Sequence, residues 1–89
     1  MKILHIEDSK PIVESFSKVL TNQGHDFSST LFGKKGLELI INNDYDLIFL
    51  DLTMPNFSGF DILSELDKKG IPEKKNIVEI GRASCRERV

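Results

Sequence analysis

Apolar positions along this chain switch between two rhythms. Lys2 to Ile6 is a short apolar run that stops at two carboxylates, Glu7 and Asp8, the pattern of a buried strand feeding a loop. From Lys10 to Gln23, the residues Ile12, Val13, Phe16, Val19 and Leu20 fall on one face of a helix, with Ser9 as N-cap, Pro11 in the first turn and Gly24 as the stop. His25 to Ser29 is a weaker strand, and Gly33 to Asn42 carries Leu37, Ile40 and Ile41 at helical spacing. Asp46 to Leu50 is apolar on both faces and runs into Asp51, as a central strand of a parallel sheet does. After the stretch Leu52 to Gly59, the residues Phe60, Ile62, Leu63 and Leu66 mark a third helix, stopped by Gly70 and Pro72. Asn76, Ile77 and Val78 begin a fourth strand.

This alternation predicts an α/β fold: a doubly wound parallel sheet with right-handed crossovers and helices on both faces. A length of 89 residues allows one domain or part of one. The balance of 39% hydrophobic and 29% charged residues is that of a folded chain rather than a disordered one. No apolar run approaches the roughly 20 residues that span a bilayer, and the start turns acidic too early for a signal peptide, so a cytoplasmic location without membrane contact is expected. Cys85 is the single cysteine, which excludes an internal disulfide and disfavours a thiolate metal site. A formal charge of -2 with scattered lysines offers no basic stripe, so direct nucleic-acid binding is not expected.

Three carboxylates follow the ends of two predicted strands: Glu7 and Asp8 after the first, Asp51 after the third. Functional sites of open parallel sheets lie beyond the strands' carboxyl ends where strand order reverses, and an order of 2-1-3 brings all three together. Like charges so placed raise each other's pKa, so the trio calls for a cation. Magnesium suits it, because it takes one or two protein carboxylates together with water and phosphate oxygens. A carboxylate can also be the nucleophile of phosphoryl transfer, giving an acyl phosphate. Asp51 is the candidate, since it ends the most apolar strand and precedes the loop Leu52-Thr53-Met54-Pro55.

Glu7-Asp8 after the first strand, joined to Asp51-Leu52-Thr53-Met54-Pro55 and Gly59, resembles the response-regulator receiver family of two-component signalling over residues 2 to 78. The resemblance implies a flavodoxin-like sheet of strand order 2-1-3-4-5, truncated here in its fourth strand. It implies Asp51 as phosphoacceptor, Asp8 and Asp51 as direct Mg²⁺ ligands, Glu7 acting mostly through a water, and the backbone carbonyl of Thr53 as a further ligand. Met54, Pro55 and Gly59 would shape the loop, with the Thr53 side chain at the mouth of the site. The implied partner is a histidine kinase or a histidine phosphotransfer protein, and the implied role is a signalling switch rather than an enzyme turning over a separate substrate. The family's Ser or Thr after the fourth strand, its aromatic in the fifth and its Lys after the fifth cannot be assigned. Ser84 falls too far along and is not given that role.

Taken singly, each residue has a plainer reading. Glu7 and Asp8 suit the positive end of a helix, Asp51 an Asx-turn, and Pro55 and Gly59 loop punctuation; turn chemistry alone does not predict their joint arrangement. His5 and His25 are read as structural, and Lys34 and Lys35 as a solvated face. Two rival functions stand beside the main one. A receiver-like interaction module independent of phosphorylation leaves the acidic residues without purpose. A haloacid-dehalogenase-type phosphatase needs a second Asp where Thr53 stands.

The final residues differ in character. Ala83, Cys85 and all three arginines (Arg82, Arg86 and Arg88) occur in the last eleven residues and nowhere earlier. Residues 1 to 78 carry 9 Lys against 12 Asp and Glu, whereas residues 79 to 89 carry 3 Arg against 2 Glu. Ile80 to Val89 resembles the translation of a common sequencing adapter, whose preceding bases also complete a codon for Glu79. The expected division is therefore a truncated receiver-like domain at 1-78 and a foreign tail at 79-89, and a chain of this kind is expected to fold poorly and not to switch.

Overall fold

The computed structural model describes residues 1–54, 56–70 and 76–80. Within them the chain runs β1 (Lys2–Ile6), α1 (Lys10–Asn22), β2 (Asp26–Thr30), α2 (Gly33–Asn42), β3 (Leu47–Asp51), α3 (Gly59–Lys68) and β4 (Ile77–Ile80). The strands form one parallel sheet of order β2-β1-β3-β4. The predicted reversal is thus present, and β1 and β3 lie side by side with Ile6 opposite Leu50.

Pleating divides the sheet's side chains between two layers. Leu4 and Ile6 share one face with Ile48 and Leu50, and this face packs against Ile40 of α2 and Ile62 and Leu66 of α3. His5 and Phe49 share the other face, where Phe16 of α1 meets them: its ring lies 4.4 Å from His5 and 5.3 Å from Phe49. Helices therefore cover both faces, as a parallel sheet requires.

Local chemistry explains where the helices stop and start. Gly24 and Gly70 adopt φ +84° and +68°, the left-handed turn that ends α1 and closes the segment after α3. Pro72 lies outside the described residues. Ser58 and Asp61 form a reciprocal capping box: the Ser58 N–H donates to Asp61 Oδ2 at 2.8 Å, and the Asp61 N–H donates to Ser58 Oγ at 3.4 Å. Ser9 occupies the N-cap position of α1 without a side-chain cap bond; instead its N–H donates to Glu7 Oε2 at 3.2 Å. The carboxylate before the helix thus serves its first turn.

Helical periodicity overstates the buried stripe at four places. Ile12 and Val19 on α1, Ile41 on α2 and Phe60 on α3 are exposed, while Val13, Ile40, Ile62 and Leu66 carry the packing. The register of each helix against the sheet, rather than periodicity, selects which apolar residues are covered.

Candidate functional site

β1 and β3 end beside each other, and their last residues carry the chemistry. Asp51 is the final residue of β3 and Glu7 follows the last residue of β1; both are buried, while Asp8 is exposed. One carboxylate oxygen from each of Glu7, Asp8 and Asp51 can be chosen so that all lie within 4.8 Å of one another. They line a cavity of about 320 Å³ together with Ser9, Ile12, Thr53 and Ile80. The tertiary fold therefore unites the predicted trio.

The electrostatics of the trio fit a cation. Burial, then the neighbouring Asp51 carboxylate, pushes the Glu7 carboxyl up from 4.5 to about 7. A carboxyl raised by burial and by a second carboxylate is what a divalent ion would relieve. Three hard oxygen donors, one of them solvent-facing, match the habits of Mg²⁺, which keeps several waters.

Asp51 itself is oriented by its own loop. Thr53 donates its backbone N–H and its hydroxyl to Asp51 Oδ1, each at 3.0 Å. Thr53 also lines the cavity, so the residue expected at its mouth is bonded to Asp51. Met54 is buried in the main core, so it anchors the loop rather than facing the site. Pro55 lies outside the described residues. At Gly59 an added Cβ would stand 2.5 Å from the Asp51 carbonyl oxygen and 3.0 Å from Leu50 Cγ, so only glycine lets α3 start so close beneath Asp51.

Three features of the site escaped the sequence reading. Asn56 takes φ +67°, a left-handed conformation that Asn tolerates better than most residues, and it turns the loop toward α3. Ile80 pairs with Asp51 across β3 and β4, and its carbonyl accepts from the Leu52 N–H at 2.7 Å. The Phe57 carbonyl lies against Gly33 of α2. Of these only the turn tendency of Asn56 beside Pro55 left a sequence signal. His5 is fully buried among Phe16, Phe27 and Phe49, and His25 Nδ1 lies 3.1 Å from the N-terminal amine. Lys35 forms an exposed pair with Glu38 at 3.0 Å, and the Lys34 Nζ lies 6.0 Å from the Phe57 ring centroid.

Comparison with known proteins gives a consistent picture. Residues 3–85 match the response regulator receiver domain, a span that runs past Val78. The transcriptional regulatory protein DltR of Streptococcus agalactiae is 34% identical over 71 residues, covering 80% of this chain and 32% of that protein. The cell cycle transcriptional regulator CtrA of Caulobacter vibrioides is 38% identical over 66 residues, 74% of this chain and 29% of its own length. The chain thus spans about a third of the curated relatives it matches. Among solved structures, the receiver domain of the Francisella response regulator 1452 superposes with a TM-score of 0.81 at 29% identity, covering 97% of this chain and 69% of that one. TrrA of Thermotoga maritima, solved in complex with Mg²⁺ and BeF, superposes with a TM-score of 0.75 at 29% identity, covering all of this chain and 77% of its own.

Proposed function

Because this chain belongs to the response regulator receiver family of two-component systems, we propose that Asp51 accepts a phosphoryl group from the phosphohistidine of a histidine kinase or histidine phosphotransfer protein. The observation that carries this reading is the convergence of Glu7, Asp8 and Asp51 within 4.8 Å at the carboxyl ends of two adjacent parallel strands. An Asp51 carboxylate oxygen attacks phosphorus, the phosphorus–nitrogen bond to the histidine breaks, and an acyl phosphate results. Thr53 holds Oδ1 with two donors, which fixes the carboxylate's plane before attack.

Asp8 and Asp51 would hold Mg²⁺ directly, Glu7 through a water, and Thr53 by its backbone carbonyl. The ion would neutralise the clustered carboxylates and the charge that develops on the phosphoryl oxygens. Burial and the Asp51 charge, which raise Glu7, support a cation at this place. That TrrA was crystallised with Mg²⁺ and BeF supports it further.

The outcome is a switch, in which phosphorylation shifts a population between two conformations and releases no separate product. We place it in the cytoplasm, with a protein partner rather than nucleic acid in view of the formal charge of -2. A phosphatase reading is disfavoured, since the residue two past Asp51 is Thr53, which donates to the acceptor and offers no second acid. We further propose that the tail from Glu79 is not native.

The deciding experiment incubates the full natural protein carrying these residues with a small phosphodonor and Mg²⁺. Hydroxylamine-sensitive label is expected on wild type and none on Asp51→Asn, whose amide is not a nucleophile. Equal labelling of the Asn variant refutes the assignment.

A further inference from the structure

The phosphoacceptor loop between β3 and α3 is closed off on two sides by glycines from different helices. Gly59 at the start of α3 meets the Asp51 carbonyl, as described above. Gly33, the first residue of α2, meets the other end of the same loop: an added Cβ would stand 1.9 Å from the Phe57 carbonyl oxygen, 2.9 Å from its carbon and 3.1 Å from the Phe57 ring. Two of these three atoms are backbone, so no side-chain rotation relieves the contact.

Helix chemistry alone does not call for glycine at this place. Gly33 is the first residue of α2, where glycine offers no helix-forming advantage over alanine. Its φ is not in the left-handed region, unlike those of Gly24 and Gly70, so conformation does not demand glycine either. What does demand it is the approach of the Phe57 carbonyl.

Three residues separate Phe57 from Thr53, whose N–H and hydroxyl hold Asp51 Oδ1. Of these, Met54 is buried in the core and Asn56 is set at φ +67°. We propose that Gly33 is a positioning residue of the phosphoacceptor site: the first turn of α2 is the stop against which the loop is set, and through it Thr53 and Asp51. The inference rests on the phosphoacceptor reading for its chemistry, although the contact itself is independent of it.

The test uses the full natural protein and compares Gly33→Ala with Gly24→Ala. Gly24 has φ +84° and open space around its missing side chain, so its substitution strains a turn far from the site and serves as a control for lost stability alone. Mg²⁺ affinity, small-phosphodonor labelling and thermal melting are measured for each. Gly33→Ala is expected to lose roughly tenfold or more in labelling rate, as sub-ångström to ångström misplacement of a reacting group does, with weakened Mg²⁺ binding. Gly24→Ala is expected to melt earlier but, where folded, to bind Mg²⁺ and label as wild type. Folded Gly33→Ala with Mg²⁺ affinity and labelling like wild type overturns the proposal. If Gly33→Ala does not fold, Phe57→Gly decides, since it leaves α2 intact and frees the carbonyl to swing away. The same losses are expected there, and unchanged labelling and affinity overturn the proposal. Asp51→Asn runs alongside. Should wild type take no label, or Asp51→Asn label equally, the phosphoacceptor reading fails by itself, and Mg²⁺ affinity alone decides the role of Gly33.

Discussion

Thr53 and Asp51 are joined by two hydrogen bonds to a single oxygen: the Thr53 N–H and hydroxyl both donate to Asp51 Oδ1 at 3.0 Å. Thr53→Val removes the hydroxyl and keeps the amide. The cost expected is about 1 kcal/mol of stability, the usual net worth of one such bond, with label still taken on Asp51. Thermal melting of the two proteins checks it; coincident melts would mean that water replaces the hydroxyl without loss.

Asp8 and Glu7 should differ as metal ligands. Asp8 is exposed at the solvent side of the site, whereas Glu7 is buried and its Oε2 already accepts from the Ser9 N–H at 3.2 Å. Asp8→Ala is expected to weaken Mg²⁺ binding more than Glu7→Ala. Isothermal titration on the full natural protein measures both, and an unchanged affinity in the Asp8 variant refutes its direct role.

Two buried groups set opposed pH dependences in the metal-free protein. Glu7 is raised by burial and by Asp51 from 4.5 to about 7, so its contribution is fully present below 4.5 and is lost as pH rises through about 7. His5 is lowered by burial from 6.5 to about 4, against an opposing pull from the Asp51 charge, so its contribution is present above 6.5 and lost as pH falls through about 4. Between 4.5 and 6.5 the two slopes cancel. Glu7→Gln should therefore leave stability rising with pH across that window, and His5→Phe should leave it falling. Urea midpoints across the window measure the slopes; equal slopes in the two variants would refute the pairing. Saturating Mg²⁺ is expected to abolish the Glu7 contribution.

The face of the sheet that carries α1 leaves apolar groups in water. Ile12 is 43% exposed, Val19 56%, and Val78, opposite Phe49 in β4, 41%. Exposed apolar surface beside a strand edge favours association. On the proposal that the tail from Glu79 is not native, these 89 residues made alone are expected to melt earlier, aggregate more readily and label less than the same protein with the proposed native continuation in place of that tail. Circular dichroism melting and phosphodonor labelling of the two, with sequencing of the natural locus across Glu79, make the comparison. A cooperative melt at the same temperature with equal labelling would show that the short chain is sufficient.

Much of this protein was legible in one dimension, because strands and helices write different periods. The limits of α2 match the expected span of Gly33 to Asn42, and β1 matches Lys2 to Ile6. Other boundaries moved by a residue: β2 begins at Asp26 rather than His25, and β3 runs from Leu47 through Asp51 rather than from Asp46 to Leu50. The acidic trio was also readable, since an α/β rhythm with carboxylates after two strands allows one sensible convergence. What only the tertiary structure decided depends on contacts between segments distant in sequence. Periodicity cannot tell that Phe60 faces water while Ile62 is buried, because that depends on how α3 is rotated against the sheet. Nor can it reveal that burial and the nearness of Asp51 raise the Glu7 carboxyl to about 7, or that a carbonyl 24 residues away occupies the place of a side chain at Gly33. Local pattern specifies elements through the periodicity of burial; distances between elements, and the chemistry that follows from them, arise only once the sheet has set its register and the helices have packed on it.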